Sequence, residues 1–141
     1  MDKLVIAISL GELADRLSIL RLKQERIKDP AKLAIVKPEY SQLYALWLTA
    51  VTTGLPPDTL SEPLLNLYLQ LYHVNAFLWD VEDKIREQER NQTFGDEFVR
   101  LARLVYHKND QRAELKQLIN NFVHSPIGEV KSYAADGNRS E

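Results

Sequence analysis

Residues able to bind a polar molecule recur at helical spacing in the second half of the chain. Tyr68, Tyr72, Asn75, Trp79, Glu82, Arg86 and Glu89 follow one another at steps of four and three. That spacing places them on one stripe of a helix read over about 61–91. The stripe begins aromatic and ends charged. A hairpin centred near Thr93 sets Glu82 opposite Arg103, and Arg86 opposite Glu97 or Arg100. It sets Trp79 opposite Tyr106 and His107, and Asn75 opposite Asp110, Gln111 and Arg112. Charges on core-phased positions are costly unless paired and hydrogen-bonded. Such a seam is therefore either a closed polar network that fixes helix register or a pocket. As a pocket it would take an anionic or polyhydroxylated ligand, with Arg and Lys as anion partners and Tyr and Trp as stacking walls. The candidate ligand-binding residues are Trp79, Glu82, Arg86, Arg103, Tyr106, Asn109, Arg112 and Lys116.

Other chemistries have weaker support. His73, His107 and His124 share no ligand spacing, and the Glu-x-x-His motif of di-iron bundles is absent. Asp80, Glu82 and Asp83 have the oxygen chemistry for a hard cation, but they read better as solvated helix surface. No metal and no cofactor is implied. Glu12-Leu13-Ala14-Asp15 matches the Glu-x-x-Asp step of all-α nucleoside triphosphate pyrophosphohydrolases. The partner Glu-x-x-Glu expected upstream is not seen among the eleven residues before Glu12. Gly11 and Gly54 are isolated, so no glycine-rich phosphate loop is read. With no cysteine there is neither a thiolate nucleophile nor a disulfide framework.

The elements that must position the seam are helices. Ser9-Leu10-Gly11-Glu12 is a capping box, in which the Ser hydroxyl and the Glu carboxylate each accept a backbone N–H. Ile8 and Leu13 then occupy the staple positions. The first helix reads over about 10–28, with Leu10, Leu13, Leu17, Leu20 and Ile27 on one stripe. Asp29-Pro30 stops it and starts a second helix over about 30–53. Pro38 lies inside that pattern and predicts a kink or break near Val36–Lys37. A fourth helix reads over about 96–123, and Thr93 with Asp96 offers it a cap. Lys3–Ile8 reads as a short strand that could pair with Ile127–Tyr133. The expected fold is all-α: an antiparallel bundle of four main helices. It forms one domain over 1–133, with 134–141 a disordered tail. Tyr40, Tyr44, Trp47 and Leu48 spread large apolar groups over more than one face of the second helix, which predicts a homodimer.

Composition narrows the function classes. The 141 residues are 45% apolar, which suits one globular domain. No apolar run is long enough for a membrane span, and Leu4–Ile8 is too brief for a signal peptide. A cytoplasmic location is the expectation. The net charge of −2 is segregated: residues 16–37 carry +5 and residues 58–97 carry −6. Packing of the basic face and the fourth helix against the acidic third helix would cancel most of it. Nucleic acid is not the expected partner.

Four blocks carry a resemblance. They are Gly11-Glu12-Leu13-Ala14-Asp15-Arg16-Leu17-Ser18-Ile19-Leu20 with Ala31-Lys32-Leu33-Ala34, then Asn75-x-x-Leu78-Trp79-Asp80-Val81-Glu82-Asp83-x-Ile85-Arg86. The third is Phe98-Val99-x-Leu101-Ala102-Arg103-x-Val105-Tyr106-x-x-Asn109-Asp110-x-Arg112-Ala113, and the fourth is Glu129-Val130-Lys131-Ser132-Tyr133. Through them the chain resembles an uncharacterised bacterial family of small helical proteins known only as a domain of unknown function. Pro38 departs from that family's pattern. The resemblance implies no activity, but it implies an envelope-glycan context, since similar domains accompany glycosyltransferase or repeat modules. The expected function is a ligand- or partner-binding module. An enzyme acting on a small anionic or sugar substrate, and a structural scaffold, are the alternatives.

Overall fold

A computed structural model describes residues 3–53 and 62–123. Its elements are α1 (Leu10–Arg26), α2 (Pro30–Thr53), α3 (Glu62–Arg90) and α4 (Asp96–Val123). The described residues are all-α, as the periodicity predicts. Residues 3–9 form no strand, and Leu4, Val5 and Ile6 are exposed. The expected partner, Ile127–Tyr133, and the tail at 134–141 lie outside the described residues.

Local chemistry sets the helix ends. Ser9 Oγ accepts the Glu12 N–H at 3.1 Å, which satisfies one of the four amides a helix start leaves open. The reciprocal half of the capping box does not form, because the Glu12 carboxylate turns to Arg16 and Lys116. Asp29 Oδ1 accepts the Ala31 N–H at 3.0 Å and opens α2, with Pro30 in its first turn. Pro38 does not break α2, which stays helical across it. Both Pro38 and Ala34, whose carbonyl loses its partner, are exposed. Water can solvate the orphaned oxygen, so no buried polar group is stranded.

Helix α3 closes without a glycine at its positive-φ position. Gln92 adopts φ 57°. The Thr93 N–H donates to Gln88 O at 2.9 Å and the Gln92 N–H to Glu89 O at 3.1 Å, a Schellman closure. Thr93 Oγ1 bonds back to Gln88 rather than forward, so it does not cap α4.

Helix α1 is the centre of the bundle. It packs against α2, α3 and α4, and α3 and α4 also pack along each other. Helix α2 leans chiefly on α1. This arrangement explains why α1 is buried on two stripes. Leu10, Leu13, Leu17 and Leu20 form the expected apolar one. Gly11, Asp15, Ser18 and Leu22, again at 4/3/4 spacing, form a second. Leu71, Val74, Leu78, Leu115 and Ile119 complete the core from α3 and α4. Each fully buried leucine there contributes about 1.5–3 kcal/mol.

Candidate functional site

The second stripe of α1 carries a buried polar cluster. Asp15 is 4% exposed and sits against both α3 and α4. Asn75 Nδ2 donates to Asp15 Oδ1 at 2.9 Å and to Ser18 Oγ at 2.7 Å. Ser18 Oγ in turn donates to the Asp15 carbonyl at 2.8 Å. From α4, Arg112 Nε lies 3.7 Å and Lys116 Nζ 3.9 Å from Asp15 Oδ2. Lys116 Nζ lies 2.7 Å from Glu12 Oε2, and Arg16 Nε 3.0 Å from Glu12 Oε1. The Lys116 ammonium holds the Glu12 carboxyl below its ordinary value against partial burial, and Arg16 adds to the effect.

One turn earlier, α1 meets α4 backbone to side chain. Asn120 Oδ1 accepts the Gly11 N–H at 2.7 Å in a fully buried contact. A Cβ on residue 11 would stand 2.8 Å from that oxygen and 2.9 Å from the Lys116 carbonyl carbon. Only glycine lets the helices come this close. Asn120 Nδ2 has no partner among the described residues.

Above the cluster lies a cleft of about 200 Å³ between α1, α3 and α4. Its polar lining is Asn75, Glu82, Asn109 and Arg112, with Trp79 as an aromatic wall. Ile19, Leu22 and Leu78 supply the apolar part. Arg112 spans floor and cleft. Its side chain is 32% exposed, and among the described residues its guanidinium makes no hydrogen bond. The Arg26 guanidinium lies 5.8 Å from the Trp79 ring centroid and pairs with Asp80 at 2.5 Å. Donors on Arg112, an acceptor on Glu82 and an indole face together make recognition chemistry for a polar ring or an anion.

The structure thus brings together four of the residues the sequence singled out: Trp79, Glu82, Asn109 and Arg112. Lys116 lies beneath them in the buried cluster, its ammonium on Glu12. Three residues are elsewhere. Arg86 is exposed towards the end of α3. Arg103 lines a shallow surface hollow with Asp96, Arg100 and His107. Tyr106 is 52% exposed and rests on His107. The expected facing of α3 and α4 is kept where Asn75 and Arg112 line one cleft and Lys108 lies over the Phe77 ring, but the expected charge pairs do not form. Arg100 pairs with Glu97 inside α4, Glu82 forms no ion pair with Arg103, and Asn75 bonds to α1 instead of α4. The cause is the central position of α1. It takes the aromatic half of the α3 stripe for itself, through Tyr72 on Glu25 at 2.5 Å and Asn75 on Asp15. The α4 cations Arg112 and Lys116 accordingly meet the acids of α1, not those of α3.

Of Asp15, Ser18, Gly11 and Asn120, the sequence singled out only Asp15, in the Glu-x-x-Asp step, and noted Gly11 only as an isolated glycine. A signal for the first three was present in the 4/3 spacing of Gly11, Asp15 and Ser18. Among the described residues no three His, Asp or Glu side chains converge as a cation site. Asp80, Glu82 and Asp83 are exposed, as expected of solvated helix surface, and Asp80 pairs with Arg26. No described helix is long and apolar enough to cross a membrane. No family model matches the chain, and no curated protein or solved structure was found to be similar to it.

Proposed function

We propose that the protein is a helical binding module that holds a small anionic or polyhydroxylated ligand in the cleft between α1, α3 and α4. The observation that carries this reading is Arg112. Its guanidinium lines the cleft beside Trp79, reaches Asp15 only at 3.7 Å and makes no hydrogen bond among the described residues, and a cation so placed gains by meeting an oxyanion. Glu82 supplies an acceptor for ligand hydroxyls. A sugar phosphate or sugar nucleotide combines these features and fits the envelope-glycan context that the family resemblance implies.

A thermal-shift series with inorganic phosphate, a uridine diphosphate sugar and free hexoses tests it. Ligand at a hundredfold over Kd stabilises the folded state by about 2.7 kcal/mol, a rise in Tm of several degrees. Arg112→Ala and Trp79→Ala should remove that rise. A wild type that responds to none of these probes, with both variants destabilised, would identify a closed structural network and sink the proposal.

A second reading, self-association, is favoured by α2. That helix buries only Val36 and Val51 and leaves Ile35, Tyr44, Leu46 and Leu48 exposed. Tyr40 and Trp47, expected in the dimer surface, pack partly against the core instead. A monomeric mass by light scattering at high protein concentration refutes self-association.

A further inference from the structure

A second concavity, on the other side of α1, has a different chemistry. Because α2 and α3 both lean on α1 and scarcely touch each other, a hollow of about 310 Å³ opens between them. That volume lies at the lower end of the range for small-molecule sites. Tyr40, Tyr44 and Trp47 line it from α2, Tyr68 and Leu65 from α3, and Arg21 from α1. The rings are ordered. Tyr40 and Tyr44 stack 5.9 Å apart with planes 9° from parallel. Trp47 and Tyr68 meet across the hollow at 6.0 Å and 42°. Tyr40, Trp47 and Tyr68 are partly buried against the core, so three of the four walls are fixed before any ligand arrives. Burial pushes the Tyr68 hydroxyl above its ordinary value, Tyr40 adds to this, and Arg21 opposes it.

Aromatic walls by themselves would suit either a flat ring or a cation. Arg21 decides between them. Its Nε is committed to Glu25 at 3.0 Å and its Cζ lies 4.4 Å over the Tyr72 ring. The rest of the guanidinium faces the Tyr68 hydroxyl in the wall of the hollow, and its fork geometry matches carboxylate, sulfonate or phosphate. A positive group at the α1 side of the hollow disfavours a second cation. We propose that this hollow binds a planar aromatic molecule bearing an anionic group, with the ring among the α2 and α3 aromatics and the anion on Arg21. The site is separate from the α1–α3–α4 cleft, and either can fail without the other.

Anilinonaphthalene sulfonate, an aromatic sulfonate that fluoresces on leaving water, is the test probe, with neutral N-phenylnaphthylamine as its control. The folded protein should bind one dye per chain saturably. Leu65→Trp, which fills the hollow from its exposed rim, should weaken both dyes by about tenfold or more. Arg21→Gln should weaken the sulfonate about tenfold, as loss of a charge-assisted hydrogen bond predicts, and leave the neutral dye within about twofold. If Leu65→Trp fails to fold by circular dichroism, Tyr44→Ala, which removes an exposed wall, must show the same loss. The proposal is overturned by the absence of saturable binding. It is equally overturned by unchanged affinity in the wall variant, or by an Arg21→Gln effect that does not distinguish the two dyes. Dye binding that dissociates a dimer would assign the hollow to a second copy of the chain and overturn it too.

Discussion

Gly11→Ala should destabilise the protein, although alanine is normally the better helix residue. In a helix interior the exchange gains about 0.5–1 kcal/mol. Here the new methyl would stand 2.8 Å from Asn120 Oδ1 and 2.9 Å from the Lys116 carbonyl carbon, against 3.4–4 Å for ordinary contact. The nearest obstacle is the Lys116 carbonyl oxygen, which is α4 backbone, so relief requires α4 to retreat by about one ångström. Overpacking of this kind costs about 1–3 kcal/mol. The retreat also stretches the 2.7 Å Gly11–Asn120 bond, and a buried amide left without that partner costs about 1–3 kcal/mol. After subtracting the propensity gain, the net loss is about 1–5 kcal/mol. At about 4 °C per kcal/mol for a chain of this length, Tm falls by about 4–20 °C. Calorimetry of wild type and variant, with urea titrations for the free energy, checks this. An unchanged or raised Tm would refute the claim that α1 and α4 touch through residue 11.

Two further outcomes follow from the same contacts. Gln92→Gly should raise stability by about 0.5–1 kcal/mol in urea titrations, because φ 57° strains any side chain there and glycine adopts it freely. The Glu12 carboxyl is held below its ordinary value in the folded protein, chiefly by Lys116. Its contribution is therefore complete above the unfolded carboxylate pKa and is lost as pH falls through the lowered folded value. Lys116→Met should flatten this acid-side loss in urea titrations between pH 6 and pH 3; an unaltered slope would show that the ion pair contributes nothing.

The helices were legible because their signals are local. Asp29-Pro30 marks the α1–α2 junction and an apolar stripe marks each core-facing surface, and α2 and α4 begin and end where the sequence reading put them. The cleft was legible in part. Trp79 and Glu82 share one face of α3, and Asn109 and Arg112 share one of α4, by spacing alone. Arg86, Arg103 and Tyr106 were misplaced because periodicity reports which residues share a face, not which neighbour the face meets. A hairpin taken in isolation sets the α3 stripe against α4. In the bundle α1 intervenes, and it meets that stripe with Glu25, Ser18 and Asp15.

The sequence by itself determined four helices, the Ser9 and Asp29 caps and the residues sharing each stripe, since these depend on contacts two to five positions apart. Tertiary structure decided which stripe is a site. Asp15 is an ordinary helix acid until Asn75, sixty residues away, and the α4 cations close over it. Gly11 is an ordinary first-turn residue until Asn120, separated from it by 109 positions, accepts its amide. Burial and charge pairing are properties of such long-range neighbours, and no local spacing encodes them.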